Sequence, residues 1–193
     1  MCKIFGFKLY FDKDWLENLT IDRYCEYKSF AEQIVFVIDM FNYRLNRLYN
    51  IDLLEGDKME CQMVIDATLV LFRALFLESR DKSFSVQNFY ILFGRTDIAE
   101  KIDEYLQLDY YSENIKADGG DCIPIKKFVK YVIDKFICHL DSDEEANIGI
   151  CNGHISQLIN KYSPRNIYNI VEDINNIIYK NLTDTNTREF NEN

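Results

Sequence analysis

The stretch that decides the fold is Lys28-Ser29-Phe30-Ala31-Glu32-Gln33-Ile34-Val35-Phe36-Val37-Ile38-Asp39-Met40-Phe41-Asn42-Tyr43-Arg44-Leu45-Asn46-Arg47-Leu48. Within it Phe30, Ile34, Val37, Ile38, Phe41, Leu45 and Leu48 recur at steps of three and four residues. That spacing draws an apolar stripe down one side of a long helix. Gly56 lies past its expected end. A second helix is expected from Lys58 to Glu78. It is apolar on nearly every face, through Val64, Ile65, Leu69, Val70, Leu71, Phe72, Leu75, Phe76 and Leu77. A helix of that kind belongs at the buried centre of a bundle.

The rest of the chain repeats the helical pattern. Ser85 to Phe93 reads as a short helix closed by Gly94. Thr96 reads as the cap of another, Asp97 to Leu106. Asp109 to Asp121, with Gly119-Gly120, reads as a loop, and Pro124 suits a first helical turn. Ile125, Phe128, Val129, Val132, Ile133, Phe136 and Ile137 then form a stripe. Ile148, Ile155, Leu158 and Ile159 mark a further helix, and Ser163-Pro164 reads as the start of the last, striped by Ile167, Ile170, Val171, Ile174, Ile177 and Ile178. The expected fold is an all-α, up-and-down helical bundle with a short-helix insertion. Residues 1–24 are expected to form an aromatic arm packed on the body. Residues 25–182 form the single domain, and 183–193 a disordered polar tail.

Composition narrows the function. With 193 residues, 7 glycines and 2 prolines, a turn-rich β-sandwich or barrel is disfavoured. A formal charge of −10 argues against broad binding to phosphate backbones but leaves room for a local basic groove. The six cysteines form no C-x-x-C pair, so they are expected as buried, reduced thiols of a cytoplasmic protein. No signal peptide is expected at the N-terminus. The run from Val64 to Leu77, broken by Asp66 and Arg73, is too short to span a bilayer. Neither Asp118-Gly119-Gly120-Asp121 nor Asp141-Ser142-Asp143-Glu144-Glu145 has calcium-loop spacing, and Lys126, Lys127 and Lys130 make a small basic face. Asn152-Gly153-His154 reads as a turn or helix irregularity. No phosphate-binding glycine loop, H-E-x-x-H or G-x-S-x-G is present, and no metal or cofactor is expected.

The candidate chemistry lies in Asp134-Lys135-Phe136-Ile137-Cys138-His139-Leu140-Asp141. His139 ends a helix beside acidic residues. An imidazole there titrates near neutral pH and suits proton transfer, though a histidine is also favoured at a helix C-terminus for structural reasons. A second set of charges interrupts the apolar helix. Asp66 and Arg73 lie two turns apart on one face, followed by Glu78 and Arg80. They fit an ion pair with another helix, or else Arg73, Glu78 and Arg80 line a polar cleft beside His139.

The segment around His139 resembles the R-[N/D]-K-x-x-A-H motif of HEPN domains, helical proteins of toxin–antitoxin, abortive-infection and CRISPR-linked ribonuclease systems. The helix order from Lys28 to Leu182 is similar to abortive-infection-type members. Arg73 to Ser83, with Ser85-Val86-Gln87-Asn88, is similar to their junction between helix and insertion. In active relatives the motif arginine is thought to stabilise the phosphate transition state, while the histidine helps activate the ribose 2′-hydroxyl. In this chain Asp134 matches the residue after that arginine, which puts Ile133 where the arginine would be. The resemblance implies a homodimer with a composite cleft. It implies a module of bacterial defence or toxin–antitoxin type, its nuclease motif eroded, that binds RNA or an antitoxin-like protein partner. The alternatives are an active metal-independent endoribonuclease, with His139 and a cation from Arg73, Arg80 or Lys135, and a purely structural interaction protein. Glu78, Asp134 and Lys135 are the expected substrate-binding residues.

Overall fold

A computed structural model describes residues 6–12, 20–51, 56–78, 83–110, 123–134, 155–160, 163, 166–182 and 187–189. Helix α1 spans Ile21–Asn50, starting seven residues before its apolar period becomes visible. Cys25 and Glu26 are exposed, and Tyr27 is buried. The boundary expected between residues 24 and 25 therefore falls inside α1.

Helix α2 spans Lys58–Phe72, capped by the Asp57 carboxylate, which accepts from the Met59 and Glu60 amides. It continues as a π-helical turn over Arg73–Leu77. Arg47 near the end of α1 pairs with Glu60 near the start of α2, and the Phe41 and Phe72 rings meet further along. The two helices are thus antiparallel neighbours. Only one side of α2 meets the core. Met59 and Met63 are 74% and 65% exposed, which corrects the expectation of a helix buried on every face.

Helix α3 spans Val86–Leu92. The Ser85 hydroxyl accepts from the Asn88 amide, and Gly94 follows at φ +74°. That left-handed conformation is one a side chain rarely adopts, so glycine is the residue that ends this helix cheaply. Helix α4 spans Thr96–Leu106, with Arg95 rather than Thr96 at the cap position. Arg95 makes no side-chain cap bond. Its guanidinium grips Asp97 in the first turn and donates to the Asn181 carbonyl.

Strands β2 (Asp109–Tyr110) and β3 (Ile123–Pro124) pair antiparallel. Pro124 holds the cap position of α5, Ile125–Ile133, instead of its first turn. A short helical stretch covers 155–159. Helix α6 spans Ile167–Asn181 and starts at Asn166, not at Ser163-Pro164. The Asn166 amide oxygen accepts from the Asn169 amide, while its own NH2 donates to the Asn160 and Ser163 carbonyls. One buried asparagine thus caps the helix and folds the preceding chain against it.

The architecture is an all-α helical bundle with two short antiparallel strand pairs. Its core is one cluster centred on Phe41, Phe72 and Phe76. Phe7 meets Phe76 edge to face at 4.9 Å and is itself buried. Two asparagines hold the arm's backbone. Asn42 of α1 accepts from the Phe7 amide at 2.7 Å and donates to the Phe7 carbonyl at 2.9 Å. Asn175 of α6 does the same for the Lys8 amide and the Gly6 carbonyl, both at 3.1 Å. The arm's peptide groups find partners in this way. Strand β1 (Tyr10–Asp12) then pairs antiparallel with β4 (Thr187–Glu189), which lies within the stretch expected to be a disordered tail. Backbone pairing along β1 needs no apolar side chains, so the polar sequence of β4 gives no sign of it.

Candidate functional site around Arg73

The π-helical turn is the local cause of the site. In a regular α-helix, residues five apart diverge by about 140° around the axis, since each step turns about 100°. Here the Glu78 amide donates to the Arg73 carbonyl at 3.2 Å, a bond spanning five residues. This wider turn brings Arg73 and Glu78 to one side, with Arg73 Nε 3.0 Å from Glu78 Oε1. It also lets Leu75, Phe76 and Leu77 all enter the core. The helix ends too soon to use the Phe76 carbonyl, and buried Gln87 from α3 donates to it at 2.8 Å. Gln87 donates also to Asp103, while its Oε1 has no partner.

The second carboxylate comes from a different part of the chain. Asp134 follows the last residue of α5, and its carboxylate receives Arg73 Nη1. Arg73 therefore ties the end of α2 to the end of α5. Burial disfavours its charge, but the hydrogen bond to Glu78 and the charge of Asp134 outweigh this, and its pKa is raised. The side chains of Arg73 and Glu78 are about three-quarters covered, whereas Asp134 is 45% exposed. The cluster carries one positive and two negative charges, so it is an ion-pair hub with a net negative formal charge.

Of the expected site residues, the structure thus joins Arg73, Glu78 and Asp134. Arg80, Lys135 and His139 lie outside the described residues, as does His154. Asp66 does not join the cluster. Its carboxylate accepts from Gln62 at 2.6 Å, and burial pushes its pKa up against that hydrogen bond. Ile133, the position matched to the motif arginine, is completely buried in the core. The Arg73–Asp134 pair was not foreseeable from spacing, because 61 residues separate the two.

One surface feature went unread in the sequence. A trough of about 760 Å³ runs between the outer faces of α1 and α2, lined by Tyr43, Arg44, Arg47, Met59, Met63 and Val70 among others. Its signal was the pair Met59 and Met63 in α2, one turn apart and outside the apolar residues read as core.

Cys61 is buried and Cys25 exposed, both unpaired, so the expectation of buried thiols holds for Cys61 and not for Cys25. Lys126 of the small basic face stands 3.8 Å from Asp103. Among the described residues no group of His, Cys, Asp and Glu side chains could hold a metal ion, and no helix is long and apolar enough to cross a membrane. No protein-family model matches the chain, and no curated protein or solved structure matches it.

Proposed function

We propose that this chain is a HEPN-like helical protein of bacterial defence or toxin–antitoxin type, cytoplasmic and homodimeric. It works by binding RNA or a protein partner and has lost RNA cleavage. One observation carries this reading. Arg73, the described cation named for the phosphate role, is already held by the carboxylates of Glu78 and Asp134. A guanidinium stabilises a phosphoryl transition state only if its positive field reaches the phosphorus centre. Two carboxylates on Arg73 cancel that field and would repel the incoming phosphate. The buried Ile133 supports the same reading, since the position matched to the motif arginine faces the core and not a cleft.

The test is incubation of the purified protein with total RNA in EDTA, beside His139→Ala. The expected result is no cleavage by either protein. Cleavage by the unaltered protein that His139→Ala abolishes would restore the ribonuclease.

A further inference from the structure

We propose that residues 6–12 are a detachable ligand of the bundle, held in a groove that takes an extended peptide, and that two copies of the chain link by placing this segment in each other's grooves. This rests on the homodimer of the proposed function and names what joins its two copies. It is independent of the Arg73 cluster.

The polar contacts of the arm carry the inference. In an extended chain the N–H and C=O of one residue point to one edge, while the preceding C=O and the following N–H point to the other. Asn42 of α1 takes both groups of Phe7, at 2.7 and 2.9 Å. Asn175 of α6 takes the Gly6 carbonyl and the Lys8 amide, both at 3.1 Å. The two carboxamides thus flank the arm at opposite edges, each in the place of a neighbouring strand. Further along, the buried Tyr90 of α3 donates its hydroxyl to the Tyr10 carbonyl at 2.9 Å. Three helices therefore grip the main chain of the arm. Side chains of the arm select by alternation: Phe7 and Leu9 are 1% and 3% exposed, and Lys8 between them faces solvent. Main-chain bonds for affinity and pockets for alternate side chains are the two devices by which proteins hold extended peptides.

A second copy is the occupant whose fit the groove already displays. Its pockets match Phe7 and Leu9, with Phe7 edge-on to Phe76 at 4.9 Å, and every copy of the chain carries that pair at the same spacing. An arm that crosses to the other copy meets the same Asn42, Asn175 and Tyr90. Strand β1 crosses with it and finds the same partner, β4, in the same antiparallel register. The exchange of an identical element thus gives up no contact and costs little, which makes it a short route to a dimer. Another protein would have to present the same alternation of large apolar and polar residues in extended form.

The experiment uses the full chain. Unlabelled and isotope-labelled protein are mixed and followed by native mass spectrometry. Dimers of mixed mass are expected, and an excess of a free peptide of residues 4–13 is expected to reduce them. Lys8→Pro removes the amide that Asn175 accepts, whereas Lys8→Ala changes the same side chain and keeps that amide. Lys8→Pro is expected to weaken the dimer at least tenfold relative to Lys8→Ala. The fluorescent peptide of residues 4–13 is expected to bind the Lys8→Pro protein saturably. The same peptide methylated on the Lys8 amide nitrogen is expected to bind at least tenfold more weakly. Circular dichroism checks each variant, and Phe7→Ala replaces Lys8→Pro if the latter loses its helices. Equal dimers in Lys8→Pro and Lys8→Ala, or mixed dimers indifferent to the free peptide, place the link elsewhere: the exchange is overturned and the homodimer stands. Monomers alone at every concentration overturn both. Absent or equal binding of the two peptides overturns the groove as a reader of the main chain.

Discussion

Arg73 and Asp134 stand 61 residues apart in the chain and meet as an ion pair, joining the π-helical end of α2 to the end of α5. Glu78 completes the cluster from the residue that ends the same turn. The pair fastens the end of α5 to the end of α2, so its energetic worth bears on both stability and function.

That worth is expected to be modest. Asp134 is 45% exposed, so solvent screening discounts the pair. A double-mutant cycle with Arg73→Gln and Asp134→Asn should give a coupling of about 0.5–1.5 kcal/mol by urea denaturation, smaller in high salt. A coupling near zero would mean the two side chains do not meet in solution.

The arm should behave as an integral part of the core. Asn42→Ala removes both bonds to Phe7 and leaves its peptide groups unpaired, which is expected to cost about 1–3 kcal/mol. Protease should then release the N-terminal arm faster than from the unaltered protein. Unchanged stability and unchanged proteolysis would show that the arm is not held there.

Phe76 is the side chain on which the core converges. It is completely buried and its ring meets those of Phe7, Phe41 and Phe72. Phe76→Ala should cost about 3–5 kcal/mol. Val70→Ala, on the exposed side of α2, should change stability by about 0.5 kcal/mol or less. Equal effects would contradict the placement of the two faces.

Two aspartates should respond to pH with opposite signs. The Arg95 hydrogen bond, working against burial, holds the Asp97 carboxyl below its ordinary 3.8. Its ionised form adds stability above that value, and the gain is lost as pH falls through the lowered folded pKa. Asp97→Asn should therefore lower the neutral melting temperature and flatten the acid limb. For Asp66, burial raises the pKa above 3.8 despite the bond from Gln62. Ionised Asp66 costs stability at neutral pH, and the cost is relieved as pH falls through the raised value. Asp66→Asn should raise the neutral melting temperature. Thermal melts across pH 2 to about 7 check both signs.

The helices were legible because burial writes a three- and four-residue period into α1 and α6. Ser85 and Gly94 likewise announced the ends of α3 through their own local chemistry. The start of α6 misled because Ser163-Pro164 and Asn166 are both competent signals, and only the buried bonds to Asn160 and Ser163 decide for Asn166. The start of α1 was silent in the sequence because Cys25 and Glu26 are exposed and add nothing to the apolar period. The π turn had no signature either, since a five-residue bond depends on what Arg73 and Gln87 find around them. For the candidate site, the sequence singled out Arg73, Glu78 and Asp134 but not the manner of their pairing, which tertiary structure alone supplies.

The most direct test of the central claim, that Arg73 is committed to its carboxylates and not to a phosphate, is the rate of RNA cleavage in EDTA. It should be measured for the unaltered protein, Arg73→Gln and His139→Ala in parallel. The account predicts that all three match the protein-free control. Cleavage by the unaltered protein that both substitutions abolish would contradict it.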